Sequence, residues 1–188
     1  MSGELIRTAL GDELVVGRTF RGSPEDVWAS ITESERTARW FGPWEGVGGQ
    51  GNTIRVQMLF EEGEPWFDAR IETCDPPRRL GLSVLDENES WRIDLLVSAV
   101  ADGTRLRLVH HLRNLDAIGE MGPGWEYYLD LLVAARDGTP QPTFDDYYPR
   151  LKPYYEALAR PDGVGQGVEE PGVRFTEGDR LRGDDPNA

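Results

Sequence analysis

Basic residues are scarce in this chain. Lys152 is its only lysine, and 20 Lys and Arg stand against 34 Asp and Glu, for a net charge of −14. Nucleic-acid binding relies on clustered Lys and Arg to neutralise phosphates, so a nucleic-acid partner is not expected. Cysteine is scarcer still: Cys74 stands alone, so no internal disulfide forms and nothing ties the chain to an oxidising compartment. No stretch approaches the ~20 apolar residues that span a bilayer. Glu4, Asp12 and Glu13 occupy the region where a secretory signal needs an unbroken apolar segment. A cytoplasmic protein without stable membrane insertion is the expectation, and Asn88-Glu89-Ser90 is then a chance match to a glycosylation site. His110 and His111 are the only histidines, and adjacent strand residues point to opposite faces. Neither a metal site nor a cofactor is expected.

What the chain does have is apolar mass. Of its 188 residues 38 % are hydrophobic, with six each of Trp, Tyr and Phe, enough for the core of one domain. That mass is confined to residues 1–160. Residues 161–188 hold seven acids and three bases but no Trp or Tyr, and are rich in Gly and Pro. Such a segment cannot bury enough apolar area to offset its ordering entropy, so it is expected to be a disordered acidic tail.

Within 1–160 the hydrophobic period changes in a definite order. Leu14, Val16, Arg18 and Phe20 share one face of a first strand. Ser23-Pro24-Glu25-Asp26 then supplies an N-cap, a proline at the first helical position and an early acid, which predicts a helix over 24–31. A second short helix is predicted over 34–40. Segments 53–60, 66–73, 79–85, 91–100 and 104–112 alternate with period two between close turn signals, as hairpins of an antiparallel sheet do. Residues 118–136 return to helical spacing; their length of about 28 Å at ~1.5 Å per residue matches that of the strands. Gly138 should end this helix. A further helical segment over 143–159 should be interrupted by Pro149 and Pro153.

The resulting class is α+β: a curved antiparallel sheet of six or seven strands wrapped around a long C-terminal helix, with two short helices after the first strand. This order is similar to the helix-grip fold of the START-like (SRPBCC) superfamily. More narrowly, Val16-Gly17-Arg18-Thr19-Phe20, Ser23-Pro24-Glu25-Asp26-Val27-Trp28, Ala38-Arg39-Trp40-Phe41, Asp75-Pro76-Pro77-Arg78-Arg79-Leu80, the run from Gly103 to His110, and Gly124-Trp125-Glu126-Tyr127-Tyr128-Leu129 resemble the family named after the C-terminal domain of the heat shock protein 90 ATPase activator. The resemblance covers about residues 13–138. It implies a hydrophobic cavity between sheet and helix, in a monomer or homodimer; a chaperone contact is implied only for relatives with an additional chaperone-binding domain.

Several constellations invite chemistry. Gly46-Val47-Gly48-Gly49-Gln50-Gly51 satisfies G-x-G-x-x-G, but a β-alternating run follows it, so a turn between strands is the better reading than a dinucleotide site. Arg18 and His110 are the only ionisable residues with inward strand parity. The guanidinium requires a helix partner such as Glu126 or Asp130, water, or an anionic ligand. All six tyrosines fall in consecutive pairs in the C-terminal third, suited to a packed helical lid or a cavity mouth, and Trp40, Phe41 and Trp44 allow the same two readings. Three functions remain open at this point. In the first, a cavity lined by Met58, Phe67, Trp91, His110, Trp125, Tyr128 and Leu129, with Arg18 and His110 as polar anchors, binds a small hydrophobic ligand. In the second, a cyclase-, aromatase- or hydrolase-like enzyme uses His110 as acid/base. In the third, the wet face and acidic tail meet a chaperone or stress-related partner.

Overall fold

Inward-facing apolar residues on successive hairpins leave one solution, a single sheet with one covered face. The computed structural model describes residues 3–85 and 90–160; the tail 161–188, the turn signal at 86–88 and Asn88-Glu89 of the glycosylation pattern lie outside the described residues. The elements are β1 (Glu4–Thr8), β2 (Gly11–Phe20), α1 (Pro24–Thr32), α2 (Ser34–Thr37), β3 (Trp44–Gly46), β4 (Thr53–Gln57), β5 (Trp66–Asp75), β6 (Arg79–Leu85), β7 (Ser90–Val100), β8 (Gly103–Leu112), α3 (Ile118–Asp137) and α4 (Lys152–Leu158). The strands form one eight-stranded antiparallel sheet in the order β1-β2-β8-β7-β6-β5-β4-β3.

Eight strands replace the six or seven expected. The two additions are the edges. β1 is mostly exposed and β3 has only three residues, so neither carries the inward apolar alternation that marks the central strands. β4 stops at Gln57, beyond which the chain turns at 58–65, with Met58 N–H donating to the Pro65 carbonyl and Leu59 N–H to the Phe41 carbonyl. Residues 47–52 link β3 to β4, and the glycine-rich motif spans the end of β3, at Gly46, and this link. No helix follows to offer free N–H groups to a pyrophosphate.

Ser23 caps α1 by accepting from the Asp26 N–H, and Gly138, at φ 67°, closes α3 in the left-handed conformation. α3 lies across the covered face, where Tyr128, Leu129 and Leu132 meet Leu14, Val16 and Leu108 in one core. The region 143–159 divides into a 3-10 turn (Phe144–Asp146) and α4, with Pro153 in the first turn of α4. Tyr147 and Tyr155 are buried in the core, as a packed lid requires. Among the described residues, no helix is long and apolar enough to cross a membrane.

Candidate functional site

The covered face is wider than α3. Between the inner faces of β4–β8, helix α1, the segment 37–44 and Trp125 of α3 lies a cavity of about 210 Å³. Five of the six tryptophans (Trp28, Trp40, Trp44, Trp91 and Trp125) contribute to its wall, with aliphatic side chains such as Ile54, Ile71, Leu82 and Leu108. Four of the polar groups near it are engaged within the protein. Trp40 Nε1 donates to the Ser30 carbonyl, Trp44 Nε1 to the Thr32 carbonyl, Thr32 Oγ1 to the Trp28 carbonyl and Thr37 Oγ1 to the Ser34 carbonyl. The chamber therefore presents hydrocarbon and aromatic faces, together with the thiol-bearing Cys74.

A second, larger space of about 810 Å³ opens beside it. This groove mixes Met58, Trp66, Leu112 and Met121 with His110, His111, Arg113, Asn114 and Asp116. Four side chains, those of Phe41, Phe67, Trp91 and Trp125, line both spaces. With Tyr128 they form a closed ring of contacts: Phe41–Phe67 at 6.4 Å, Phe67–Trp91 at 5.8 Å, Trp91–Trp125 at 6.2 Å, Trp125–Tyr128 at 6.2 Å and Tyr128–Phe41 at 4.9 Å between centroids. These separations lie within the range of favourable aromatic pairs. The ring is a collar between chamber and groove, built from β5, β7, α3 and the turn after α2.

Local backbone explains how Phe41 reaches that collar. Leu59 N–H donates to the Phe41 carbonyl and Gln57 N–H to the Pro43 carbonyl, drawing the turn against the end of β4. Only glycine fits between them, since a Cβ on Gly42 would stand 1.8 Å from the Gln57 carbonyl oxygen. On the opposite side of the mouth, the Tyr128 hydroxyl donates to Glu61 Oε1 over 2.7 Å and ties α3 to the 58–65 loop. Burial first, then the Glu61 carboxylate, raises the Tyr128 pKa above that of an ordinary tyrosine, so the hydroxyl stays protonated as donor.

His110 stands at the groove side of the collar, 6.1 Å from the ring of Trp91 and 5.9 Å from that of Trp125. The Trp125 indole N–H donates to His110 Nδ1 over 3.0 Å. Indole nitrogen only donates, so Nδ1 must be the acceptor and the neutral ring carries its proton on Nε2. Burial, followed by the proximity of His111, lowers the His110 pKa to about 4. Arg18 plays no part in that shift. It pairs with Leu106 on β8, four residues from His110 and roughly 13 Å away at ~3.4 Å per residue.

Of the expected site residues, Met58, Phe67, Trp91, His110, Trp125 and Tyr128 all line the groove. Leu129 is fully buried against the sheet, and Arg18 is bonded to Glu126 and Asp130 in the middle of α3; neither lines the chamber or the groove. Sequence reasoning missed Trp28, Cys74, Glu61, Arg113 and Asn114. Glu61, Arg113 and Asn114 lie in connections, where no periodicity marks a face, whereas the cluster Trp40, Phe41 and Trp44 was a visible signal. On the outer face Asp94 receives Arg79 and contacts His111; burial would raise its pKa, but these hydrogen bonds outweigh it and the net shift is downward. No grouping of three His, Cys, Asp or Glu among the described residues is suited to a metal ion.

Known structures share this architecture. CalU16 from Micromonospora echinospora is 25 % identical with a TM-score of 0.67, over 84 % of this chain and 96 % of that one. The protein encoded by gene BPP1335 of Bordetella parapertussis is 23 % identical, with a TM-score of 0.64, covering 77 % and 84 % of the two chains. The Aha1 dimer from Colwellia psychrerythraea is 18 % identical, TM-score 0.56, over 68 % of this chain and 98 % of that one. No curated protein matches the chain. The family model described as "Activator of Hsp90 ATPase homolog 1-like protein" matches residues 21–136, well over half the sequence and the stretch that builds the chamber, collar and most of the groove. The chain belongs to that family.

Proposed function

We propose that the chain is a binding protein for a small apolar or amphipathic molecule, whose apolar part occupies the chamber while its polar part lies in the groove. One observation carries this reading: a chamber lined almost wholly by aliphatic and aromatic side chains is separated by an aromatic collar from a groove with polar residues. Apolar cavities of ~150 Å³ in other proteins remain dry and take up benzene, and this chamber of about 210 Å³ is larger. Ligand pockets combine this kind of apolar lining with a few directed polar groups.

His110 favours binding over acid/base catalysis. Its Nδ1 lone pair is engaged by Trp125, and its lowered pKa leaves the ring neutral at pH 7. A general base near pH 7 requires a free lone pair and a matched pKa. Native mass spectrometry of the full chain, before and after organic extraction, tests the proposal. A removable adduct of small-molecule mass, with rebinding of a hydrophobic probe in a 1:1 ratio, is the expected result. A chain that carries no adduct and takes up none of a panel of hydrophobic probes would overturn it.

A further inference from the structure

His110 is more specific than a generic polar residue at a cavity mouth. Nδ1 is spent on Trp125, and the remaining ring nitrogen, Nε2, carries a proton. Among the described residues no buried side-chain nitrogen or oxygen lacks a partner. The only hydrogen bond of the His110 ring is the one through Nδ1, so Nε2–H reaches open space. The space that His110 lines is the groove, beside the collar. The His110 ring therefore offers the groove one directed donor and no acceptor.

The charge of the group it would meet follows from the surroundings. His110 is 6 % exposed and contacts two indoles, Trp91 and Trp125. A carboxylate brought to Nε2–H would lose hydration against two indoles, which disfavours the charged form. Arg18, the other inward-facing cation, is held by two carboxylates, Glu126 and Asp130, and does not line the groove. Arg113 and Asp116, in the groove beyond the end of β8, have opposite charges. A neutral oxygen acceptor avoids the cost of burying a charge, and the Nε2–H bond offsets its smaller desolvation.

We infer that the ligand carries a neutral carbonyl group at the end of its apolar body, accepting the His110 Nε2–H at the collar. This inference rests on the cavity reading above. It specifies a class of ketones, aldehydes or quinone-like molecules over hydrocarbons and carboxylic acids of the same shape.

Three probes with one ring system separate the possibilities: 2-acetylnaphthalene, 2-ethylnaphthalene and 2-naphthoate, titrated calorimetrically into the full chain at pH 7.5. The ketone should bind about three- to tenfold more tightly than the hydrocarbon, the range for one neutral hydrogen bond, and more tightly than the carboxylate. In His110→Phe the ratio of ketone to hydrocarbon affinity should fall to about one, whatever the absolute affinities. Nitrogen-15 NMR of the wild-type ring provides a measurement independent of that variant. Nδ1 should report as an acceptor, and the Nε2–H signal should move with the ketone but not with the hydrocarbon. A ketone preference that survives in His110→Phe, an unmoved Nε2–H signal, or tighter binding of the naphthoate would overturn the inference. Equal binding of ketone and hydrocarbon to the wild type would overturn it and leave the cavity reading intact. Binding of none of the three would overturn both.

Discussion

The guanidinium of Arg18 on β2 lies 2.6 Å from Glu126 Oε2 on α3, and its Nε lies 2.7 Å from Asp130 Oδ1. Glu126 is 2 % exposed, and its second oxygen accepts from the Tyr155 hydroxyl at 2.8 Å; Asp130 accepts from Tyr147 at 2.8 Å. One arginine therefore fixes the long helix to the sheet, while the two carboxylates fix the C-terminal segment to the helix. Burial would lower the Arg18 pKa, but its hydrogen bonds to Asp130 and Glu126 outweigh it and the net shift is upward. This arrangement holds α3 in place and, through α3, the collar residues Trp125 and Tyr128.

Arg18→Met should destabilise the fold by about 3–5 kcal/mol, because it leaves the Glu126 carboxylate buried without its cation. Arg18→Met combined with Glu126→Gln should be more stable than Arg18→Met alone, since the amide oxygen still accepts from Tyr155. Urea unfolding of the two variants checks the order.

Gly122 is the notch into which Tyr155 fits: a Cβ there would stand 2.1 Å from the Tyr155 ring. Alanine is the better helix former by about 1 kcal/mol, so helix propensity alone favours Gly122→Ala. Overpacking costs about 1–3 kcal/mol and should prevail. Thermal unfolding should show a net loss of stability, and hydrogen exchange should quicken in α4 before the central strands.

Stability should depend on pH through His110. Its folded pKa of about 4 lies below the ordinary 6.5, because the buried ring resists charge. At pH above 6.5 both states are neutral at this ring. As pH falls from 6.5 towards 4 the unfolded chain takes up a proton that the folded chain refuses, so stability is lost, by roughly 2 kcal/mol between pH 7.5 and 5. Asp26 and Asp94, held below the usual carboxylate value of 3.8, lose their contributions only at lower pH. Urea midpoints should fall over this interval in the wild type and fall less in His110→Gln.

Much of this architecture is legible in the sequence, for physical reasons. Inward alternation such as Trp91, Ile93, Leu95 and Val97 fixes register, because a one-residue slip would expose the entire apolar face. The helical spacing of Trp125, Tyr128, Leu129 and Leu132 identifies the gripping helix in the same way. Parity also singles out Arg18 and His110, and leaves the arginine's partner open between a helix carboxylate such as Glu126 or Asp130, water and an anionic ligand; both carboxylates bind it. Parity does not reveal position along a strand relative to a cavity, which is why Arg18 and His110 share a face but stand roughly 13 Å apart at ~3.4 Å per residue. The edges β1 and β3 escape notice because exposed strands lack alternation. Phe41 and Glu61 reach the collar region through non-periodic segments, where only tertiary contacts decide which way a side chain points.

Filling the chamber should remove binding without unfolding the protein. Ala69, 1 % exposed on β5, faces the chamber, and Ala69→Leu would occupy part of that space. The variant should be at least as stable as the wild type, as cavity-filling substitutions commonly are. Its affinity for 2-ethylnaphthalene should drop about tenfold or more by calorimetry.

Cys74 gives the central claim its most direct test, because this single thiol lines the chamber and reports on its occupancy. The measurement is the rate of Cys74 alkylation by N-ethylmaleimide in the full chain, with and without saturating 2-ethylnaphthalene. Binding within the chamber should slow alkylation about tenfold or more, while a rate unchanged at probe concentrations that saturate the chain would contradict the account.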